Sequence, residues 1–199
     1  MSLKGAGAID DRPEPISAAQ QTNIAAFVWG VAEATLFFIV PDVLLSYIGL
    51  KQGPRAAAIA SVCAALGAGL GGAIMYLWAA QHAEAALAAV LAVPAVSEAM
   101  AANAEAAMAQ NWFLAAFAGP LSSTPYKLYA VLAPQAGAAL PAFALASVAA
   151  RLPRFLIVSV GVALIGQGLS RWLGERGRVG LLIGAWLLFY AAFFALMPN

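Results

Sequence analysis

Five ionisable side chains stand inside stretches of sequence that are otherwise apolar. Two are acids, Glu33 and Asp42, and three are bases, Lys127, Arg151 and Arg154. An ionised group taken out of water must become neutral or find a partner of opposite charge. If the chain brings these acids and bases together, they form either a buried ion pair or a proton-responsive carboxylate beside an anion-binding pocket.

Each of these residues also has an ordinary structural interpretation. Asp42 follows a proline and is a favourable residue for capping a short helix, and Glu33 could lie at a membrane interface. The three basic side chains, Lys127, Arg151 and Arg154, could extend to a membrane boundary, as long cationic side chains do near helix ends. The sequence leaves these alternatives open.

The segments that must position these residues are apolar but broken. Residues 24–50 contain Pro41 near the middle, and residues 112–150 contain Pro125 and Tyr126. Proline removes a backbone donor and restricts the residue before it, so each segment is predicted to form two short helices that meet at a break. Non-helical backbone at membrane depth must be buried in protein or line a wet cavity. Each segment is therefore predicted to be a re-entrant hairpin.

Composition explains why a membrane is the expected setting. The chain has 199 residues, of which 63% are hydrophobic and 10% are charged, and its formal net charge is +1. Soluble domains carry about 25% charged residues, so a soluble enzyme is excluded. Disorder requires low hydrophobicity and high net charge, and nucleic-acid binding requires a clustered basic surface. Neither class fits, and no nucleic-acid partner is expected.

Stretches without charge predict the full membrane crossings. Residues 56–80 and 179–197 contain no Asp, Glu, Lys or Arg, and a crossing needs about 20 apolar residues. Residues 155–170 are shorter, but their flanks extend them to a plausible span. The predicted fold is an all-α polytopic membrane protein with about three full transmembrane helices and two opposed re-entrant helical hairpins. The acidic, alanine-rich connector 81–111 is predicted to form a surface helix pair.

The distribution of basic residues predicts the orientation. Residues 1–23 are predicted to form a polar N-terminal cap, with an interfacial helix from Ser17, and no cleaved leader is expected. If the first broken segment dips in and returns, Lys51 and Arg55 lie on the same side as this cap. Cytoplasmic loops are enriched in Lys and Arg, so we expect an integral membrane protein with a cytoplasmic N-terminus. This arrangement leaves Arg151 and Arg154 on the wrong side for the rule.

Several other features have ordinary structural explanations. Gly67 and Gly71 are spaced for close helix packing, and His82 is predicted to cap a helix end. Thr124 with Lys127 resembles a nucleophile pair only weakly, and loop capping explains it better. No catalytic residue, cofactor site or metal site is predicted, and the single cysteine, Cys63, cannot form an intramolecular disulfide. The aromatic residues are assigned to interfacial belts and packing: Trp112, Trp172, Trp186 and Tyr190.

Two motifs resemble the DedA superfamily, whose characteristic unit is the VTT or SNARE-associated domain. The first runs from Glu33 through Pro41-Asp42 into Val-Leu-Leu. The second comprises Thr124-Pro125-Tyr126-Lys127, Leu140-Pro141-Ala-Phe143, Ala146-Ser147 and Ala150-Arg151-Leu-Pro-Arg154-Phe155, and it is most similar to the YqaA-like branch. The resemblance covers about residues 25 to 170. It divides the chain into the N-terminal cap, a membrane domain at residues 24–173, and a loop with a final transmembrane helix at residues 174–199.

The resemblance implies two opposed re-entrant hairpins and the movement of lipids or lipid phosphates between leaflets, with protons as a coupling ion in some members. Glu33 and Asp42 match the family's acids, and Lys127, Arg151 and Arg154 match its bases. This chain has a single lysine where many bacterial members have two arginines. The expected partners are phospholipids or polyprenyl phosphates in a bacterial inner membrane, together with protons and a second copy of the chain. Two rivals stay open: a non-transporting organiser with structural ion pairs, and a small-solute or ion transporter of the same architecture.

Overall fold

The computed structural model describes residues 17–119 and 124–196, and that part of the chain contains eight helices and no strand. Residues 1–16, which make up most of the predicted polar cap, and residues 120–123 and 197–199 lie outside the described residues. The helices are α1 (Ala18–Ala34), α2 (Asp42–Gln52), α3 (Pro54–Gln81), α4 (Ala83–Leu91), α5 (Glu98–Ala118), α6 (Tyr126–Leu132), α7 (Leu140–Leu169) and α8 (Glu175–Leu196).

Three of these helices, α3, α7 and α8, are long and apolar enough to cross a membrane. This confirms the predicted number of long apolar helices. The bounds of α7 differ from the expectation, because the helix begins at Leu140 and continues through Pro153 without a break. Neighbouring helices can satisfy the backbone groups that a proline frees within a membrane bundle. Arg151 and Arg154 consequently lie inside α7 instead of at the start of a helix.

The first broken segment has its break where the sequence predicts it. The helix α1 ends at Ala34, residues 35–41 are irregular, and α2 starts at Asp42. The helix α1 starts well before the apolar stretch, because Ser17 and Gln20 form a reciprocal capping box. Within the break, the Trp29 indole N–H donates to the Ile39 carbonyl at 3.0 Å. A side chain of α1 therefore satisfies part of the irregular backbone.

The two ends of this segment lie close together. Gln52, the last residue of α2, donates a hydrogen bond from its amide to the hydroxyl of Thr22 in the first turns of α1, at 3.3 Å. The two helices make few contacts with each other, since α1 packs mainly against α3 and α2 mainly against α7. The segment thus leaves one end of the molecule, turns at the break and returns to the same end.

Glycines allow α1 and α3 to approach closely. A Cβ atom on Gly67 would overlap the backbone carbonyl of Phe27, and one on Gly71 would overlap that of Val31. On the other side, a Cβ on Gly30 would overlap the carbonyl of Ala64. The predicted close packing at Gly67 and Gly71 is confirmed, and its partner is α1.

The second broken segment is divided into more pieces than expected. The helix α5 has a kink at Asn111, where φ is −160° and ψ is 97°. The short helix α6 follows Pro125, and residues 133–139 then lead into α7, with Gly137 at a φ of +73°. The segment therefore contributes the end of α5, all of α6 and the first part of α7. Two short helices were predicted, because Pro134 and Gly137 were not recognised as a second break.

The connector forms the predicted helix pair, α4 and α5, but its turn is not a surface feature. Val93 and Ala95 in this turn are buried, and Ala95 adopts a φ of +62°, a conformation that is uncommon for a residue with a Cβ atom. Since α4 packs against both α3 and α6, the turn is carried into the bundle. By contrast, α8 lies at the edge and contributes no buried residue.

Candidate functional site

The five ionisable residues singled out in the sequence come together at the breaks. Glu33 lies in the last turn of α1, Asp42 begins α2, Lys127 is the second residue of α6, and Arg151 and Arg154 are one turn apart in α7. All except Arg154 are buried, with at most 6% of the residue exposed, and the side chain of Arg154 is 35% exposed. Segments distant in sequence thus bring their charges to one region.

Glu33 pairs with Arg151. Nη2 of Arg151 lies 2.5 Å from Oε2 of Glu33, and both side chains are nearly inaccessible. The guanidinium also lies over the Tyr126 ring, 4.5 Å from its centroid, and 5.5 Å from the centroid of Phe155. Its Nη1 atom has no hydrogen-bond partner among the described residues. Arg151 is therefore oriented by three neighbours, and its buried Nη1 atom keeps unused donor capacity.

Asp42 pairs with Arg154, whose Nη2 lies 3.1 Å from Oδ2 of the carboxylate. The other carboxylate oxygen of Asp42 has no hydrogen-bond partner in the described part of the chain. Asp42 is the first helical residue and Pro41 occupies the N-cap position, where no side-chain capping bond forms. Helix capping therefore does not explain Asp42, although its negative charge suits the N-terminal end of a helix.

Lys127 hydrogen-bonds to a backbone carbonyl and not to Glu33 or Asp42. Its Nζ atom donates a hydrogen bond to the Phe37 carbonyl at 2.7 Å, in the break between α1 and α2. Of the bases considered as partners for Glu33, Arg151 forms the close contact. Lys127 instead ties α6 to the irregular backbone of the first segment, so the two breaks are in direct contact.

Tyr126 packs against Arg151 and is itself held in place by two further contacts. Its hydroxyl donates to the Ser147 hydroxyl at 2.6 Å, and Ser147 donates to the Phe143 carbonyl at 2.7 Å. The ring also stacks on Phe143. Pro125 is the N-cap of α6 in an extended conformation. These two predicted break residues therefore fix the start of α6 and place the aromatic ring under the Arg151 guanidinium.

The charged residues line a cavity of about 300 Å³. Among the described residues, its charged lining consists of Glu33, Lys127, Arg151 and Arg154, while Asp42 lies behind Arg154. Three cations therefore face one carboxylate. Guanidinium and ammonium groups with free donor capacity are the usual protein ligands of phosphate and carboxylate anions. The cavity is suited to bind an anion.

Two parts of the cavity wall were not anticipated from the sequence. One is the α4–α5 turn, which contributes Val93, Pro94, Ala95 and Val96. The other is α8, whose Tyr190 hydroxyl accepts the Val40 backbone N–H at 3.0 Å. The sequence held one signal for each part. Pro94 splits the connector, and Tyr190 places a hydroxyl group in the otherwise apolar α8. Trp186, one turn earlier, donates to the Ser46 hydroxyl at 2.9 Å, so these two residues pack against the first segment.

A further ion pair lies at the end of the molecule where α2 ends and α8 begins. Lys51 forms an ion pair with Glu175, which raises the pKa of Lys51 above its ordinary value of 10.5. Arg178 donates to the Gly166 carbonyl at 3.1 Å. These contacts hold the start of α8 against α2 and the end of α7.

The remaining candidates give no further site. Thr124 lines the cavity near Lys127, and His82 lies at the junction of α3 and α4 without a side-chain capping bond. In the ranges 17–119 and 124–196, no three His, Cys, Asp or Glu residues are grouped to hold a metal ion.

The fold and the site together define a class. The protein is helical, with three helices apolar enough to span a bilayer, as in an integral membrane protein, and with acids and bases gathered at breaks between helices. No family description, no curated protein and no solved structure matches this chain.

Proposed function

We propose that this protein is a DedA-like transporter that moves lipids or lipid phosphates between the leaflets of a bacterial inner membrane. The observation that carries the proposal is the cavity of about 300 Å³ in which three cations and one carboxylate meet at the two breaks. A phospholipid or polyprenyl phosphate presents a phosphate group that such a cavity can bind. The resemblance of the two break motifs to the DedA superfamily supports the same substrate class.

Contacts between the ends of the helices support opposed re-entrant hairpins. The Thr22–Gln52 hydrogen bond returns the first segment to the end where α3 starts. At the other end of α3, Gln135 donates to the Ala79 carbonyl at 3.3 Å, and Tyr76 donates to the Ala138 carbonyl at 2.7 Å. The loop after α6 therefore lies opposite to the open end of the first segment. In a bilayer, the two segments would enter from opposite faces.

The site lies deep along the spanning helices. Arg151 is about 17 Å along α7 from Leu140 and about 27 Å from Leu169, at 1.5 Å per residue. A charge at this depth is expensive unless it is paired or exposed to a water-filled cavity. The ion pairs supply the first condition when the cavity is empty, and a bound phosphate would supply an alternative partner.

The proposed cycle exchanges ion-pair partners. A phosphate entering the cavity meets Arg154, the most exposed of its three cations, before the buried Lys127 and Arg151. As the anion binds the guanidiniums, Glu33 and Asp42 lose their partners. A buried carboxylate without a counterion favours its protonated form, so binding is coupled to proton uptake. Deprotonation restores the two pairs and releases the lipid.

The basic residues at one end indicate the orientation. Within the described chain, the end of the molecule where α1 and α3 start carries five basic residues: Lys51, Arg55, Arg171, Arg176 and Arg178. Because cytoplasmic loops are enriched in Lys and Arg, we assign this end and the N-terminus to the cytoplasm.

The test is lipid movement in vesicles reconstituted with the purified protein and fluorescent phosphatidylglycerol. We expect translocation that a proton gradient changes. The variant Lys127→Met should lower the rate about tenfold, which corresponds to the loss of one charge-assisted contact. Arg55→Met is the matched control, since it removes one positive charge from the exposed start of α3 at the far end, and it should leave the rate nearly unchanged.

Two outcomes would overturn the proposal. One is a pure, folded protein that moves no labelled lipid at any pH, with or without a gradient. The other is an equal loss of rate in Lys127→Met and Arg55→Met, because this would show that the cavity is not specifically involved.

A second candidate is the non-transporting organiser, which the close Glu33–Arg151 pair favours. In that case the charges only hold the hairpins together. Lipid movement by the wild-type chain separates the two candidates, because the organiser moves none.

A further inference from the structure

We propose that an apolar groove between α8 and the first broken segment binds the hydrocarbon chain of the lipid whose phosphate occupies the charged cavity. This inference rests on the proposed function and specifies the part of the substrate outside the cavity. It also assigns α8 the role of a movable wall between the chain and the headgroup.

The groove has a volume of about 390 Å³ and its lining is almost wholly apolar. The first segment contributes Trp29, Val43 and Tyr47, and α8 contributes Ile183, Trp186 and Leu187. Along α8 it extends from Leu182 to Tyr190, a length of about 12 Å at 1.5 Å per residue. An extended hydrocarbon chain fits an elongated apolar site of this kind better than a polar solute does.

The groove and the cavity share a wall. Tyr190 lines both of them, and adjacent residues of the break are divided between them, with Ile39 in the groove and Val40 in the cavity. The anion-binding cavity and the apolar groove are therefore separated by the Tyr190 side chain and the backbone of the break. A lipid phosphate has the same two parts, since its phosphate is joined to hydrocarbon chains through glycerol in a phospholipid and directly in a polyprenyl phosphate.

The wall between the two sites is weakly attached. No residue of α8 is buried, and its polar contacts with the first segment are those from Tyr190 to the Val40 N–H, from Trp186 to Ser46 and from Glu175 to Lys51. The Tyr190 hydroxyl accepts a hydrogen bond from the irregular backbone of the break at Val40. An outward movement of α8 breaks this hydrogen bond and joins the groove to the cavity. A headgroup could then pass while its chain stays in an apolar environment.

The test uses the full chain in vesicles with a phosphatidic acid that carries a photoreactive group in its acyl chain. Peptide mapping after illumination should place the adducts in the groove, at residues such as Val43 and Ile183. An excess of unlabelled phosphatidic acid should compete, whereas diacylglycerol with the same chains but no phosphate should not. Inorganic phosphate should compete weakly, because it can fill the cavity and leave the groove empty.

A matched pair of substitutions tests the position of the chain. Val43→Phe fills the groove, and we expect it to reduce the competed labelling about tenfold, as overpacking of a fitted site does. Val28→Phe makes the same change on the exposed face of α1 and should have no effect. Both variants are compared at equal amounts of monodisperse protein, so that a folding defect is visible separately.

The outcomes separate this inference from the proposed function. Adducts spread equally over lipid-facing residues such as Leu66 and Leu70 of α3, without competition, would overturn the groove even if lipid translocation is observed. Competed labelling in the groove without translocation would support the chain site and overturn the proposed transport. Labelling that is reduced equally by Val43→Phe and Val28→Phe would also overturn the inference.

Discussion

At the residue scale, the site depends on how each acid is partnered. Glu33 and Arg151 form the most buried pair, and the Tyr126 ring fixes the guanidinium from one face. Asp42 and Arg154 form a second pair that reaches the exposed side of the cavity. Because a buried charge is tolerated only with its partner, the pairs and the ligand site cannot be altered independently.

Removing one member of the buried pair should be more damaging than removing both. We expect Arg151→Met to destabilise the protein by about 3–5 kcal/mol, because it leaves Glu33 buried without a counterion. The double variant with Glu33→Gln should recover most of that loss. Thermal unfolding in detergent, followed by circular dichroism, measures both effects.

Lipid translocation by the double variant then shows whether the pair acts in transport or only in folding. If the pair contributes to transport, the folded double variant should be inactive in vesicles. Full translocation together with restored stability would show that the pair is only structural and that transport does not depend on it. An unfolding temperature of the double variant no higher than that of Arg151→Met would contradict the pairing itself.

At the element scale, the prolines and the charges are the informative parts of the sequence. Pro41 and Pro125 predict breaks because they change the backbone locally, and the acids and bases beside them predict a site because charges in apolar segments need partners. Pro153 also lies beside basic residues but causes no break, because packing against neighbouring helices keeps α7 continuous. Which base pairs with which acid could not be predicted, since Arg151 and Lys127 both had the right charge and only the three-dimensional path selects Arg151 for Glu33.

The walls that α8 and the α4–α5 turn contribute were harder to predict, for a related reason. Neither element places an Asp, Glu, Lys or Arg at the cavity, so neither stands out in a search for charged residues. Their positions follow from long-range packing, such as the contact of Tyr190 with Val40 across 150 residues of chain. Local propensity carries no information about contacts at that separation.

The close approach of α1 and α3 gives a prediction at this scale. Gly67→Ala adds a methyl group where the Phe27 carbonyl lies, and we expect a loss of about 1–3 kcal/mol in the free energy of unfolding. Gly161→Ala in α7 is the control, because a Cβ there meets no atom within 4 Å. It should be neutral or stabilising by about 0.5–1 kcal/mol, as alanine is the better helix former.

Unfolding temperatures of both glycine variants in the same detergent provide the measurement. A Gly67→Ala variant as stable as Gly161→Ala would show that α1 can move away from α3 at little cost. Since α1 carries Glu33, we also expect a change in lipid translocation for Gly67→Ala alone.

At the scale of the whole molecule, the arrangement of chain ends predicts a topology. The Thr22–Gln52 and Lys51–Glu175 contacts place the start of α1, the end of α2 and the start of α8 at one end. The Gln135–Ala79 contact places the loop after α6 at the other end. The two re-entrant segments should therefore open to opposite faces of the membrane.

Accessibility of introduced cysteines tests this topology in a Cys63→Ser background. We expect Ala18→Cys, Gln52→Cys and Arg176→Cys to react with an impermeant maleimide from one face, and Gln135→Cys from the other. Labelling of Ala18→Cys and Gln52→Cys from opposite faces would show that the first segment crosses the membrane completely.

The loose attachment of α8 has a further consequence, which concerns the thickness of the bilayer. The helix has 22 residues and is about 33 Å long, slightly more than the hydrocarbon core of a typical membrane. A helix longer than its bilayer accommodates the difference by tilting, and α8 has no buried side chain to resist this movement. Its tilt sets the position of Tyr190 at the wall of the charged cavity. Under the proposed function, we therefore expect the thickness of the bilayer to change the access of lipid to the site.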